Sequence, residues 1–203
     1  MRLFLVRHAS TGETGRLLTG RRPGVSLSAE GIELAEQRAR TVADVGIHAL
    51  YTSPITRCAE TAAVLGRSSG VPPEVMVDLV EVDYGSWSGR RLDALRGLKA
   101  WQHLMSAPAR FRFPEGETLL EAQTRVVGAI EGMAARHRKR RVVAVSHADV
   151  IRVALAHYLG MPLDLVFRLE VRPLSVSIID LPGPGATAAV PLLNAGDDLR
   201  AWA

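Results

Sequence analysis

Two short apolar runs, each ending abruptly at a histidine, constrain the fold of this chain more than any other feature. Residues 3–6 are followed by Arg7 and His8, and residues 142–146 are followed by His147. Short apolar runs bounded by turn signals are typical of strands buried on both faces of a mainly parallel sheet. Because ligands of such sheets bind at the carboxyl ends of the strands, Arg7 and His8 mark a candidate site. A core histidine beside a surface arginine is the alternative interpretation of that pair.

The rest of the chain alternates between helix and strand patterns, which predicts an α/β fold in a single domain, residues 1–203. Helices are predicted over residues 29–44, 54–65, 92–105 and 148–159, with a long helix between Thr118 and about Arg136, and further strands over 49–53, 74–77, 174–181 and 188–193. Ser28 is expected to cap the first helix. Ser53 is expected to cap the second, with Pro54 at its first helical position.

Composition and charge exclude several classes of protein. The excess of 25 basic over 21 acidic residues, a net charge of +4, suits a small anionic substrate and is too small to argue for nucleic acid. The single cysteine, Cys58, excludes an internal disulfide and a cysteine-based zinc site. No apolar run approaches the length of a membrane span. Because Arg7 interrupts the apolar start too early for a signal peptide, the cytoplasm is the expected location.

Two basic segments raise the question of anion binding. The loop over residues 12–24 has the glycine spacing of a P-loop, but Arg21 and Arg22 stand where that motif needs Lys and Ser or Thr. No strand leads directly into the loop, so we reject nucleotide binding and expect Arg16, with the other two arginines, to be available for anions. The cluster at residues 136–141 is interpreted as a solvated helix end, because it is short and lacks the aromatic residues of a nucleic-acid patch.

The predicted sheet brings charged and titratable side chains to one edge. His8 and His147 each follow a strand, Arg7 ends the first strand, and Arg57 follows the second closely. The helices predicted to start at Pro54 and Ala148 would direct backbone N–H groups to the same place. Guanidinium groups match the oxygens of a phosphate, and a neutral imidazole can attack phosphorus. The combination predicts a site for phosphoryl transfer.

A proton donor for the leaving alkoxide is still needed at this edge. Residues 78–89 combine carboxylates, aromatics and glycines without helical periodicity, and loops of this kind often carry function. Glu81 is the best candidate, because a partly buried glutamate beside a dianionic phosphate has a raised pKa and can be protonated near neutral pH. Asp83 is the competing candidate, and a turn or cap is its alternative role.

Five motifs, in this order, resemble those of the histidine phosphatase superfamily, whose fold is phosphoglycerate mutase-like. Arg7-His8-Ala9 resembles the Arg-His-Gly signature of that family. Residues 53–62, SPITRCAETA, are similar to its Ser-Pro-Leu-x-Arg-Ala-x-x-Thr-Ala segment, and residues 81–89 are similar to its acid-donor loop. PEGET at residues 114–118 and VSHADVIR at residues 145–152 complete the set. Each motif alone is weak, and together they are a strong signal.

The resemblance implies a three-layer α/β/α sandwich with a mostly parallel sheet, no metal and no cofactor. It implies that His8 becomes a phosphohistidine, that Arg7, Arg57 and His147 form the phosphate pocket, and that Glu81 is the proton donor. The residues expected to bind the substrate are Arg7, Thr11, Arg57, Glu81, His147 and Ala148. Cys58 falls on a packing position.

The chain departs from the family pattern at two places near the first histidine. Ala9 replaces the usual glycine, which is a small change. The family often places a phosphate-binding asparagine about six residues after the nucleophile, and here that position holds Thr14, or Glu13 if the loop is one residue shorter. A threonine hydroxyl could donate to phosphate, whereas a glutamate would oppose an anion. Thr11 is therefore the safer hydroxyl to assign to the substrate.

The resulting prediction is a phosphatase that hydrolyses small phosphomonoesters through a phosphohistidine. A mutase of the phosphoglycerate type is the first alternative, disfavoured because only residues 90–113 are available for the lid that mutases of the family carry. A silent binding module for phosphorylated ligands is the second, disfavoured because binding alone needs no proton donor. Residues 86–118 are predicted to form a helical excursion over the site. An apolar edge strand near Val190 would permit a homodimer.

Overall fold

The computed structural model describes residues 1–183, 186–196, 199 and 202, and these form one six-stranded sheet flanked by helices. The strands are β1 (Arg2–Arg7), β2 (Ala49–Thr52), β3 (Pro73–Val75), β4 (Arg141–Ser146), β5 (Val176–Asp180) and β6 (Ala189–Ala195). They lie in the order β3-β2-β4-β1-β5-β6. The first four are parallel and the last two are antiparallel to their neighbours. The mostly parallel sheet predicted from the sequence is confirmed.

The helices cover both faces of the sheet. They are α1 (Ala29–Asp44), α2 (Thr56–Ser69), α3 (Leu92–Arg96), α4 (Lys99–Ser106), α5 (Leu119–Arg136) and α6 (Ala148–Tyr158). Along β1, Leu3 and Leu5 pack into one apolar cluster with α5 and α6, whereas Phe4 and Val6 pack into a second cluster with α1 and α2. Since successive strand side chains point to opposite faces, this alternation buries the strand on both sides and gives the three predicted layers.

Two predicted helices differ from those in the structure. The helix predicted from residue 54 begins at Thr56, because Ile55 is still extended and no side chain caps this end. The hydroxyl of Ser53 accepts from the Ile55 N–H over 3.3 Å, ahead of the helix, and is also hydrogen-bonded to His147, so its predicted role as the helix cap is wrong. The helix predicted over residues 92–105 is split into α3 and α4 between Gly97 and Leu98, where a glycine is a poor helix former and the next residue is extended.

The first and the longest helices begin as their sequences dictate. The hydroxyl of Ser28 accepts a hydrogen bond of 3.0 Å from the Gly31 N–H, and α1 has the predicted bounds. Thr118 and Glu121 form a capping box at the start of α5. Within the described ranges, no helix combines the length and apolarity that crossing a membrane requires.

The parallel register of β1 and β4 sets up the site. Arg7 pairs with Ser146 at the ends of the two strands, and the His8 N–H donates to the Ser146 carbonyl over 2.9 Å. The next residue of each strand is therefore a histidine at the same edge. The imidazole rings of His8 and His147 lie with their centroids 5.3 Å apart at an angle of 63°.

Candidate active site

A cavity of 410 Å³ lies where β1 and β4 end. Six of the seven site residues predicted from the sequence line it: Arg7, His8, Thr11, Arg57, Glu81 and Ala148. The seventh, His147, is fully buried and contacts Arg57. The sheet edge therefore brings together the residues that the sequence pattern placed there.

His8 presents a free-base nitrogen beside this cavity. Its Nδ1 lies 2.7 Å from the carbonyl oxygen of Ala9. Because a carbonyl can only accept, Nδ1 carries the proton and Nε2 carries the lone pair. Nε2 accepts a hydrogen bond of 3.1 Å from Arg57 Nε. Burial, followed by the charges of Arg57 and Arg7, lowers the pKa of His8 to about 3, so the imidazole is neutral at physiological pH.

Arg57 is hydrogen-bonded to both histidines of the site. It is 2 % exposed, and besides His8 its Nη2 donates to the Gly20 carbonyl over 2.8 Å and to His147 Nδ1 over 3.0 Å. Its Nη1 and the Nε of Arg7 are both buried, and neither has a hydrogen-bond partner in the part of the chain that the structure describes. Buried donors are normally paired, so two orphaned cationic N–H groups beside a cavity match the oxygens of an anion.

His147 holds Arg57 from the interior of the protein. Because a guanidinium can only donate, His147 Nδ1 accepts from Arg57, and Nε2 is left to bond the Ser53 hydroxyl over 2.9 Å. The Cys58 sulfur lies 3.4 Å from the same Nε2. Burial lowers the pKa of His147, with the charge of Arg57 as the next cause, so this imidazole is also neutral. Ser53 has in this bond a role that its sequence position did not indicate.

Glu81 brings a carboxyl group to the cavity that is poised to exchange a proton. Its Oε1 accepts from the Val82 N–H over 3.0 Å, and its Oε2 lies 3.9 Å from His147 Nδ1. Burial, followed by the negative charge of Asp149, raises the pKa of Glu81 to about 7. The carboxyl group is therefore partly protonated near neutral pH, as a general acid must be.

The PEGET motif positions the loop that carries Glu81. Glu117 Oε1 accepts from the Asp83 N–H over 2.9 Å, from Arg21 over 3.0 Å and from Arg125 over 2.8 Å. A Cβ atom at Gly116 would overlap the Asp83 carbonyl oxygen, so only glycine permits this close approach of the two loops. Asp83 itself accepts from the Gly85 N–H over 2.9 Å. Its side chain thus caps a turn, in accord with the alternative role considered for it.

A network of Tyr84, Asp149 and Arg152 also lines the cavity and was not identified from the sequence. The Tyr84 hydroxyl and the Arg152 Nη1 each donate to the Asp149 carboxylate over 2.6 Å. The available signal was the carboxylate two residues after His147. An acidic residue in the first turn of a helix is ordinary, because it complements the helix dipole, and so it did not stand out.

The loop after β1 holds Glu13 and Thr14, the two positions considered for the asparagine of the family pattern. Thr14 lines the cavity, and its hydroxyl accepts from the Thr11 N–H over 2.9 Å. The Glu13 carboxylate accepts from the Thr19 hydroxyl and forms an ion pair of 2.8 Å with Arg22. The charge that would oppose an anion is thereby offset within the loop, and the threonine takes the position beside the cavity.

The arrangement has the parts that phosphoryl transfer requires. It combines a neutral imidazole whose Nε2 carries a lone pair, two buried cationic donors without partners among the described residues, and a carboxyl group that is partly protonated near pH 7. Among the described residues, no group of three or more His, Cys, Asp or Glu side chains is placed to hold a metal ion.

Comparisons with known proteins agree with this geometry. The family model described as histidine phosphatase superfamily (branch 1) matches residues 3–191. The probable phosphoglycerate mutase GpmB of Proteus mirabilis (strain HI4320) is 30% identical over 187 residues, which cover 89% of this chain and 85% of that protein. Phosphoserine phosphatase 1 of Hydrogenobacter thermophilus is 27% identical, over 89% and 87% of the two chains. The solved structure of the alpha-ribazole phosphatase from Shigella flexneri superposes with a TM-score of 0.83 at 25% identity, covering 96% of each chain.

Proposed function

The chain belongs to branch 1 of the histidine phosphatase superfamily, and from this premise we propose that it hydrolyses small phosphomonoesters through a phosphohistidine at His8. The observation that carries the proposal is the neutral His8 Nε2 beside donors of Arg7 and Arg57 that have no partner in the described part of the chain. A lone pair next to two cationic donors suits attack on a phosphorus whose oxygens are held by those donors.

In the first step of the proposed reaction, His8 Nε2 attacks phosphorus as the ester P–O bond breaks. The Arg57 N–H that bonds Nε2 turns to a phosphoryl oxygen, and Arg7 neutralises part of the charge on the others. Glu81 transfers its proton to the departing alkoxide, which leaves as the alcohol. His147, by accepting from Arg57, keeps the guanidinium in the plane that this transfer needs. The Ala148 N–H at the start of α6 and the Thr11 hydroxyl supply further donors at the cavity wall.

In the second step, water attacks the phosphohistidine and the P–N bond breaks. Glu81 is now a carboxylate and takes the proton from the attacking water, which regenerates the acid. The electron pair of the P–N bond returns to Nε2, so His8 is again neutral. Phosphate leaves from the same donors that bound the ester.

The proposal is tested by phosphate release from p-nitrophenyl phosphate and O-phosphoserine. His8→Ala is expected to lower hydrolysis to the background rate, because the nucleophile is gone. His157→Ala, on the exposed side of α6, is a matched control and is expected to retain activity. After an alkaline quench, mass spectrometry of the peptide that contains His8 is expected to show an added phosphoryl group. An added phosphoryl group on another residue, or no phosphate release from any ester, would refute the proposal.

A mutase remains the second candidate because several relatives, that of Proteus mirabilis among them, are named probable phosphoglycerate mutase. It would use the same phosphohistidine but return the phosphoryl group to a second hydroxyl instead of to water. Incubation with 3-phosphoglycerate separates the two reactions, since a phosphatase releases glycerate and phosphate whereas a mutase yields 2-phosphoglycerate. Faster isomerisation than hydrolysis would establish the mutase.

We further propose that the protein acts in the cytoplasm on small phosphorylated molecules, without nucleic acid, metal or cofactor. The free, buried thiol of Cys58 and the modest net charge of +4 support this assignment. We treat the chain as one domain in which residues 86–118 form an excursion over the site, since α3, α4 and Phe113 all contribute to the cavity wall. The edge strand β6 would permit a homodimer, which sedimentation at several concentrations tests. Activity in the presence of a chelator tests the independence from metal.

A further inference from the structure

The cavity has an apolar side as well as the polar side where phosphate is expected to bind. The apolar side chains that line it come from the loop after β1, the excursion and a turn after α6: Leu17, Leu18, Leu92, Trp101, Leu104, Met105, Phe113 and Phe167. A volume of 410 Å³ lies within the range of about 300–1,000 Å³ typical of small-molecule sites. A phosphoryl group fills only part of it, so the remainder receives the alcohol portion of the ester.

This apolar side is held rigidly by an aromatic cluster behind it. The ring of Trp101 stacks on that of buried Trp87, with 6.1 Å between centroids and 23° between planes. Trp87 in turn contacts the rings of Phe111 and Phe113 at 5.4 and 5.7 Å. An aromatic surface fixed before binding loses little conformational freedom when a ligand packs on it.

The charges near the alcohol end that are shielded from solvent are already compensated. The guanidinium of Arg152 is paired with Asp149 and also donates to the Leu169 carbonyl over 2.8 Å. Of the loop arginines expected to be available for anions, Arg21 and Arg22 form ion pairs with Glu117, Asp83 and Glu13, and neither is among the described residues of the cavity wall. Arg96 lines the cavity but is exposed on the five-residue helix α3, where solvent screens its charge.

We propose that the physiological substrate is a phosphomonoester whose alcohol portion is a bulky apolar or aromatic group without a second anionic charge. This inference rests on the proposed phosphatase function and narrows it. The phosphate would occupy the donors of Arg7 and Arg57, and the apolar group would lie between Leu17, Trp101 and Met105. Phosphoglycerates and phosphoserine, which carry a carboxylate close to the phosphate, would place that charge against the apolar surface without a partner.

The test compares esters that share an aliphatic leaving oxygen, so that leaving-group reactivity does not confound the pocket. The four substrates are 2-phenylethyl phosphate, ethyl phosphate, O-phosphoserine and 3-phosphoglycerate. We expect kcat/KM for 2-phenylethyl phosphate to exceed each of the others by at least about tenfold, mainly through a lower KM. Equal or higher kcat/KM for either carboxylate-bearing ester overturns the inference while leaving the phosphatase intact. Hydrolysis of none of the four, nor of p-nitrophenyl phosphate, overturns the phosphatase itself and the inference with it.

Paired variants locate the preference in the cavity. Met105→Lys and Leu120→Lys each add one cation at an apolar side chain that is 46% or 54% exposed, so both should fold, but only Met105 lines the cavity. Met105→Lys is expected to raise KM for 2-phenylethyl phosphate about tenfold and to lower KM for 3-phosphoglycerate. Leu120→Lys should change neither. Identical effects of the two lysine substitutions would refute the assignment of this apolar side of the cavity to the alcohol group. Trp101→Ala should also raise KM for 2-phenylethyl phosphate, without changing KM for 3-phosphoglycerate.

Discussion

Replacing Glu81 with glutamine should make the protein more stable above neutral pH while removing its activity. Glutamine has the shape of the protonated acid but carries no transferable proton. The carboxyl group of Glu81 has a folded-state pKa of about 7, against an ordinary value of 4.5, because it is buried and lies near the charge of Asp149. A pKa raised by folding means that the folded state binds the proton more tightly. The stabilising contribution is therefore complete below pH 4.5 and is lost as the pH rises through 7.

The size of the effect follows from the change in pKa. Raising it from 4.5 to about 7 corresponds to about 3 kcal/mol at about 1.36 kcal/mol per pKa unit. The wild-type protein thus loses about 3 kcal/mol of unfolding free energy from this one group between about pH 4 and pH 8, and Glu81→Gln does not. For a chain of this length, that difference corresponds to about 6–12 °C in Tm.

The assay is urea unfolding of both proteins at several pH values from 4 to 8, followed by fluorescence. The quantity to compare is the variant's unfolding free energy minus that of wild type, which should increase with pH and level off near 8. Glu36→Gln, on the exposed face of α1, removes a charge without burial and should give a flat difference. In parallel, kcat for an alkyl phosphate should fall by about 10²–10⁴-fold in Glu81→Gln. A difference in free energy that does not change with pH would refute a raised pKa for Glu81.

Three other experiments probe the same site. Asp149 carries the charge that is the second cause, after burial, of the raised pKa of Glu81. Asp149→Asn should therefore move the alkaline limb of the pH profile of kcat to lower pH. An unchanged alkaline limb would contradict an effect of Asp149 on the pKa of Glu81. Arg57→Lys keeps the positive charge, but its three donors share one nitrogen and cannot reproduce the planar fork that reaches His8, Gly20 and His147 from two nitrogens. We therefore expect kcat/KM to fall by about 10²-fold or more, with an unchanged circular dichroism spectrum as control. Burial raises the pKa of the Cys58 thiol, so a thiol reagent should label the unfolded protein but not the native protein. Cys58→Ala should remain active. Rapid labelling of the native protein would contradict the burial of this thiol.

The elements of this fold could be predicted because their signals are local. Continuous apolar runs predicted β1 and β4, and Ser28 with the apolar periodicity after it predicted α1 to the residue. The convergence of His8 and His147 followed from a general property of parallel sheets, whose carboxyl ends share an edge. The roles of the residues around that edge were less accessible, because they depend on contacts between distant segments.

Ser53 and Glu117 illustrate what the sequence could not supply. Ser53 before a proline has the pattern of a helix cap, yet its hydroxyl bonds a histidine that lies 94 residues further along the chain. Glu117 belongs to a recognisable motif, but its function in holding the Asp83 backbone and two arginines depends on three segments packing together. Asp149 likewise acts through its distance to Glu81, which no spacing in the sequence encodes.

The parallel pairing of β1 with β4 has a consequence for the order in which this protein gains activity as it folds. The pairing joins the first strand of the chain to one that begins at Arg141, so the His8–His147 geometry depends on one of the least local contacts in the molecule. Contacts of this kind form late, since a long loop must close before they stabilise anything. A register error of one residue would turn the side chains of a strand to the opposite face. Catalytic activity should consequently recover later than helical structure during refolding. The recovery of activity therefore reports when β1 and β4 pair.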